Sequence, residues 1–115
     1  MLPVLLMGAI AWNSHRPMPL ALRHGLDKVV HALVFGILAL LWLLALAPRQ
    51  PGARAAFGPA LLALSITSVW GILDEIHQSY VPGRTPSTAD AAADFAGAAI
   101  AAAAFVRSRA RSRAT

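Results

Sequence analysis

Directly after an apolar run, the chain places Asp74, Glu75, His77 and Gln78 within one turn and a half, followed by Pro82, Gly83 and Arg84. Carboxylates, an imidazole and a guanidinium are the inventory for general acid/base work with stabilisation of an anion. In that chemistry His77 or Glu75 is the base and Arg84 the phosphate or oxyanion clamp. The order of residues contains no phosphate loop, nucleophile elbow or His-Glu-x-x-His zinc motif that would name a reaction. The spacing of His31, His77, Asp74 and Glu75 fixes no metal-ligand geometry, so neither a metal nor another cofactor is expected.

The placement of these groups is as informative as their types. The composition is 57% hydrophobic and 13% charged, against roughly 25% charged in a soluble domain, so the solvent of most side chains is expected to be lipid. Ionisable groups at the edge of a membrane segment are costly to bury and mark function by default. The net charge of +5 does not point to nucleic acid. The basic residues sit at the ends of apolar runs without an aromatic-interleaved face, and read as topology signals. Without cysteine there is no disulfide, thiolate ligand or Cys nucleophile.

Four apolar segments must position the polar groups. Residues 29–47, interrupted only by His31, and residues 55–73, without a charge, each approach the roughly 20 residues that span a bilayer. Residues 89–106 are Ala-rich and carry Asp90 and Asp94, each costing about 2.5 to 3.5 kcal/mol at a helix centre and less near an interface. Helix packing through Ala93, Gly97 and Ala101, small residues at spacing four, is expected to hold this segment in place. Residues 2–12 are too short to span, reaching about 16 Å at 1.5 Å per residue. Without a basic leader or small-residue cleavage site, this stretch does not read as a removable signal peptide. It is expected either to continue upstream of Met1 or to form a thin or tilted first span. The fold class expected is therefore an all-α polytopic membrane helix bundle of about four helices, the first one short, forming a single domain over residues 1–115.

The basic residues orient it. Arg107, Arg109, Arg111 and Arg113 lie in a basic tail over residues 107–115, and Arg49 and Arg54 lie between the second and third segments. The positive-inside rule places both groups, and both termini, in the cytoplasm. Arg16, Arg23, Lys28 and Arg84 then lie on the outer side together with all five acids. Under this topology Asp27, Lys28 and His31, then Asp74 to Gln78, then Asp90 and Asp94 reach one outer surface. Asp27 with His31, Asp74 with Gln78, and Asp90 with Asp94 are i,i+4 pairs, and Asp74 with His77 an i,i+3 pair, so each helix presents polar groups on one face. Pro82-Gly83 reads as a turn, and Ser87 or Thr88 as the cap of the last helix.

Each residue also has a plainer role. Asp27 and Lys28 mark the water interface as readily as a site, and His31 would serve as a structural interhelical bond. Arg84 is as easily a clamp as an anion binder. Asp90 and Asp94 read most simply as counter-ions of Arg84 and Lys28 that hold the helices together. Trp12, Trp42, Trp70 and Tyr80 read as interface or packing aromatics, and the arginine tail as a topology anchor with anionic lipid binding as a minor role.

The combination Asp27-Lys28-x-x-His31, Asp74-Glu75-x-His77-Gln78, Pro82-Gly83-Arg84, Ser87, Asp90, Asp94 and Gly97 resembles the VanZ-like family of small bacterial membrane proteins, over about residues 14–104. The resemblance implies a helical protein of the bacterial cytoplasmic membrane and a role in susceptibility to the glycopeptide teicoplanin. It implies no established reaction. Two departures from the family pattern are a shorter first helix and Asp94 where Asn is expected. The first functional expectation is thus an envelope factor whose outer polar site meets a lipid-linked cell-wall precursor or a glycopeptide. The alternatives are a membrane-embedded enzyme acting on a lipid or polyprenyl phosphate, with Glu75, His77, Asp74 and His31 as candidate catalytic groups and Arg84, Gln78, Asp27, Lys28, Asp90 and Asp94 as binding groups, or an accessory protein whose polar cluster joins helices. The Ala-rich last helix leaves homo-oligomerisation open.

Overall fold

A computed structural model describes residues 1–14, 26–47, 53–83 and 88–114. They form four helices, α1 (Leu2–Ser14), α2 (Leu26–Leu46), α3 (Ala53–Gln78) and α4 (Thr88–Ala114), with no strand among the described residues. At 1.5 Å per residue, α2, α3 and α4 are about 32, 39 and 40 Å long, whereas α1 reaches about 20 Å. Lys28–Leu46, Arg54–Gln78 and Thr88–Arg111 are long and apolar enough to cross a membrane, and α1 is apolar but short of a roughly 30 Å hydrocarbon core.

The Ala-rich α4 is the central helix, packing along both α2 and α3, while α1 rests on α2 and α3 near one end. The reason lies in side-chain size, since helices in lipid gain from close van der Waals approach rather than from burying apolar surface away from water. At the crossing of α2 and α4 the backbones nearly touch. A β-carbon added to Gly97 would stand 2.0 Å from the Ala32 carbonyl oxygen, and one added to Gly36 would stand 3.2 Å from the Gly97 carbonyl oxygen. Gly97 is on the buried line as the small-residue spacing predicts, but Ala93 and Ala101 are half-buried, and Ala98 and Ala102 hold the buried positions beside it.

Each long helix has one buried stripe. On α3 it runs Ala56, Ala60, Ala63, Thr67, Gly71, Asp74, Gln78. Phe35, Leu38, Ala39 and Leu43 form it on α2, and Asp90, Asp94, Gly97, Ala98 and Ala102 on α4. Leu43, Ala60, Ala63 and Ala102 make one core cluster; Ile10, Phe35 and Leu38 make another, against which Leu6, Met7 and Val34 pack. Trp42 and Trp70 pack on these clusters, whereas Trp12 and Tyr80 are exposed. The opposite faces expose Leu33, Ile37, Leu40, Leu61, Val69, Ile72 and Ile100, as expected of side chains whose solvent is lipid.

Two helices extend beyond their apolar runs. Helix α4 continues past residue 106 through the arginines of the basic tail to Ala114. Arginine is a good helix former, and the Arg109 guanidinium lies 4.9 Å from the centre of the Phe105 ring one turn back, a cation–π contact along the helix surface. Helix α3 runs on past the apolar run through the polar cluster to Gln78, as the i,i+4 spacing of Asp74 and Gln78 expects. The chain then turns at residues 79–83, with Gly83 at φ 82°, a left-handed conformation that glycine adopts without strain.

Candidate functional site

At one end of the bundle the buried stripes change from apolar to polar without leaving the interior. This end gathers the start of α2, the end of α3 and the start of α4. Along α2, Phe35 is followed toward the N-terminus by His31 and then Lys28; along α3, Gly71 is followed by Asp74 and Gln78; along α4, Ala98 is preceded by Asp94 and Asp90. Asp74, Gln78, Asp90 and Asp94 are all buried, the two acids of α4 with 1% exposure. The polar groups therefore form an internal layer rather than a row of solvated helix ends.

Lys28 and His31 join α2 to α4. His31 Nδ1–H donates to Asp94 Oδ1 at 2.7 Å. Lys28 Nζ lies 2.5 Å from Asp90 Oδ1, an ion pair by distance though not aligned as a hydrogen bond. Lys28 and His31 are three residues apart and Asp90 and Asp94 four apart, so both pairs form between the facing sides of the two helices. On α3, Gln78 Nε2 donates to Asp74 Oδ2 at 2.9 Å, one turn apart.

Asp94 is accommodated by a missing side chain. A β-carbon on Gly71 would lie 3.0 Å from Asp94 Oδ2 and 3.2 Å from Phe35 Cε1, so the α4 carboxylate, bonded to His31 of α2 through Oδ1, reaches the backbone of α3 with Oδ2 through the space Gly71 leaves. His31 is further held by Phe35, whose ring is nearly parallel to the imidazole, at 5° and 6.2 Å between centres. With Nδ1 donating to a carboxylate, a neutral imidazole offers Nε2 as an acceptor. An Asn at position 94 would accept the same bond through its side-chain oxygen, so an acid here changes the charge and not the hydrogen bond.

A cavity of about 240 Å³ opens beside this layer between α1, α2 and α3. Its apolar wall includes Leu6, Ile10, Val34 and Phe35, and its polar groups are Asn13, His31, Asp74 and Gln78. Such a mixture of apolar wall and a few convergent polar groups is the usual make-up of a small-molecule site.

The structure thus brings together Lys28, His31, Asp74, Gln78, Asp90 and Asp94, and separates their tasks. Asp90 and Lys28 pair as the counter-ion reading expects, whereas the partner of Asp94 is His31. Asp74 and Gln78 line the cavity. Glu75 and His77 are half-buried on α3 and are not among the residues that line it. The Asp27 side chain, Arg84 and Ser87 lie outside the described residues. Among the described residues no group of three His, Asp or Glu side chains converges as a metal site. Reasoning from sequence missed Asn13 and the part α1 plays, because a uniformly apolar short helix has no face to read. It also missed Gly71, which the spacing Thr67, Gly71, Asp74, Gln78 would have placed on the polar stripe.

No curated protein and no solved structure matches the chain. The model of the family described as VanZ/LLP1 matches residues 4–109, a stretch that begins within α1 and ends within α4. That match covers nearly the whole chain and contains every residue of the polar layer, so this four-helix protein, with three helices able to cross a membrane, is a member of the VanZ/LLP1 family.

Proposed function

We propose that this VanZ-like membrane protein acts in the cell envelope by binding a ligand at its polar end, and that in doing so it lowers susceptibility to teicoplanin and related glycopeptides. The observation that carries this reading is the cavity into which His31, Asp74, Gln78 and Asn13 bring polar groups against an apolar wall. A lipid-linked cell-wall precursor or a lipid-bearing glycopeptide combines a polar head with an apolar part, which suits such a lining. Arg49, Arg54 and the arginines from 107 to 113 support a cytoplasmic-membrane protein with both ends inside and the cavity facing outward. A Gram-positive host expressing the wild type, Asp74→Asn, Glu75→Ala or His77→Ala at matched membrane levels tests the reading through teicoplanin susceptibility. Protection by the wild type that Asp74→Asn abolishes is the expected result. A well-inserted wild type that gives no protection refutes it.

One observation favours a second reading. An imidazole oriented by a carboxylate and lining a cavity is the arrangement of a general base, so His31 held by Asp94 suits a membrane enzyme that removes a proton from a bound lipid substrate. Turnover of a lipid substrate by the purified wild type and its loss in His31→Gln would support that reading over binding alone.

A further inference from the structure

At the end of the bundle away from the polar layer, a groove of about 400 Å³ runs between α3 and α4. Phe57, Leu61 and Leu64 belong to its α3 side and Ala99, Ala103 and Arg107 to its α4 side, and Arg107 is the one lining residue with a charge. The groove exists because α4 lines it mostly with alanines, while Phe57 and Leu61 of α3 stand out exposed beside them. From Ala99 to Arg107 the helix rises about 12 Å at 1.5 Å per residue, against roughly 15 Å for one leaflet of a hydrocarbon core about 30 Å thick. An apolar trough of that length with a cation at its outer end has the form of a phospholipid, chain below and phosphate above. The charge at this end is of one sign. Arg54 lies three residues before Phe57, and Arg107, Arg109 and Arg111 follow along the last turns of α4. All five acidic side chains, Asp27, Asp74, Glu75, Asp90 and Asp94, belong to the opposite end of the helices. Residues 48–52 and 112–115 carry an arginine each and no acidic side chain. A second copy of the chain suits the groove less well: copies inserted the same way round bring the same arginines to the same level, where like charges oppose the contact.

We propose that the groove between α3 and α4 binds an anionic phospholipid, its phosphate paired with Arg107 and one acyl chain lying along Leu61, Leu64 and Ala103. This site is at the other end of the bundle from the polar cavity and does not depend on it. With both termini inside, it faces the cytoplasmic leaflet, whose anionic lipids attract basic residues near the surface.

Native mass spectrometry of the full chain in an uncharged detergent counts bound lipid directly. Phosphatidylglycerol and phosphatidylcholine with identical acyl chains are titrated as a fraction of the micelle, so the apolar contribution is alike and the net charge of the head differs. Phosphatidylglycerol is expected to saturate at one lipid per chain with the lower midpoint. Arg107→Gln is expected to raise that midpoint about five-fold, the factor that about 1 kcal/mol per basic residue gives. Arg109→Gln removes the same charge from a side chain that lies over Phe105 and not in the groove, and is expected to change the midpoint less. Ala103→Trp fills the groove and is expected to abolish saturation, whereas Ala104→Trp, equally exposed but outside the groove, is expected to leave it. Glycerol phosphate, a head without a chain, is expected not to compete. Phosphatidylcholine binding as tightly as phosphatidylglycerol overturns the proposal, as does an equal effect of Arg107→Gln and Arg109→Gln, which would be a general attraction to the basic end. Unchanged binding to Ala103→Trp, or competition by glycerol phosphate at the lipid's own concentration, would remove the groove from the site and likewise overturn it. A dimer in the same spectra that Ala103→Trp separates would seat a second copy in the groove in place of the lipid.

Discussion

Replacing Gly97 by alanine adds one methyl group at the tightest point of the molecule. The new β-carbon would stand 2.0 Å from the Ala32 carbonyl oxygen, 2.7 Å from its carbonyl carbon and 2.8 Å from its α-carbon. All three are backbone atoms, so no rotamer change relieves the clash. Ordinary contact begins at 3.4 Å, and the difference between 3.4 and 2.0 requires α2 and α4 to separate by about 1.4 Å. The His31–Asp94 bond, 2.7 Å long and about one helical turn away, would open to about 4.1 Å if the helices moved as rigid bodies, beyond hydrogen-bond reach. Overpacking costs about 1–3 kcal/mol, and loss of an interhelical hydrogen bond in a membrane protein adds about 0.6–1.7 kcal/mol. Better helix propensity returns at most about 1 kcal/mol, which leaves a net loss of roughly 1–4 kcal/mol. Unfolding by sodium dodecyl sulfate in mixed micelles measures this directly. Gly58→Ala is the control, because its β-carbon meets nothing within 4 Å, and it should be neutral or slightly stabilising. A Gly97→Ala protein within about 0.5 kcal/mol of the wild type, the range of an ordinary surface change, would refute the close approach of α2 and α4 and with it the assembly of the polar layer.

The Lys28–Asp90 pair predicts a non-additive cycle. Lys28→Ala strands a carboxylate whose side chain is 2% exposed, so it should destabilise more than Lys28→Ala combined with Asp90→Asn, and equal stability of the two proteins would count against a paired role. At position 94, Asn retains an acceptor for His31 and Ala does not. Asp94→Asn should therefore unfold within about 1 kcal/mol of wild type and Asp94→Ala at lower detergent concentration, by about 1–2 kcal/mol; the reverse order would show that the charge and not the bond is what matters. Because the chain has no cysteine, single cysteines report topology. Tyr80→Cys in the turn after α3 and Arg111→Cys in the last turn of α4, both exposed, should react with an impermeant maleimide from opposite sides of the membrane, Tyr80→Cys from outside. Labelling of both from one side would contradict a membrane-crossing α4.

The parts of this fold that were legible in the sequence are those set by length and period. Three runs of membrane-spanning length, a short first helix and i,i+4 polar pairs at helix ends led to a bundle with one polar end. The order of packing was not legible. Residues 89–106 are the least hydrophobic of the long segments and carry two acids, yet they form the centre of the bundle, because Gly97, Ala98 and Ala102 let neighbouring backbones come close. Nor could spacing say which pairs would be made. Asp27 and Lys28 both lie about one turn from His31, and only the packing of α2 on α4 decides that Lys28 meets Asp90 while His31 meets Asp94. The Asp74–Gln78 segment read as an exit from the membrane because charges usually mark one. Asp74 and Gln78 nonetheless lie inside the bundle, because α3 continues for another turn along the same buried stripe.

The polar end contains two kinds of bond, and the distinction bears on whether it is more than a fastening. The Lys28–Asp90 and His31–Asp94 contacts cross between helices. They offset the cost of placing two acids in α4, about 2.5–3.5 kcal/mol each at a bilayer centre and less near its edge. A structural account of Asp90, Asp94, Lys28 and His31 is therefore sufficient as far as it goes. The Gln78–Asp74 bond runs within α3 and fixes a carboxylate in the wall of a cavity without tying one helix to another. A carboxylate is costly to bury in a wall that Ile10 and Val34 also line, where an apolar residue would cost less. Keeping an acid at that place, oriented by a neighbour and beside an imidazole oriented by another acid, is what a binding site needs and a fastening does not. If Asp74→Leu left teicoplanin susceptibility unchanged and raised the stability of the bundle, that argument would fail and the whole polar end would be structural.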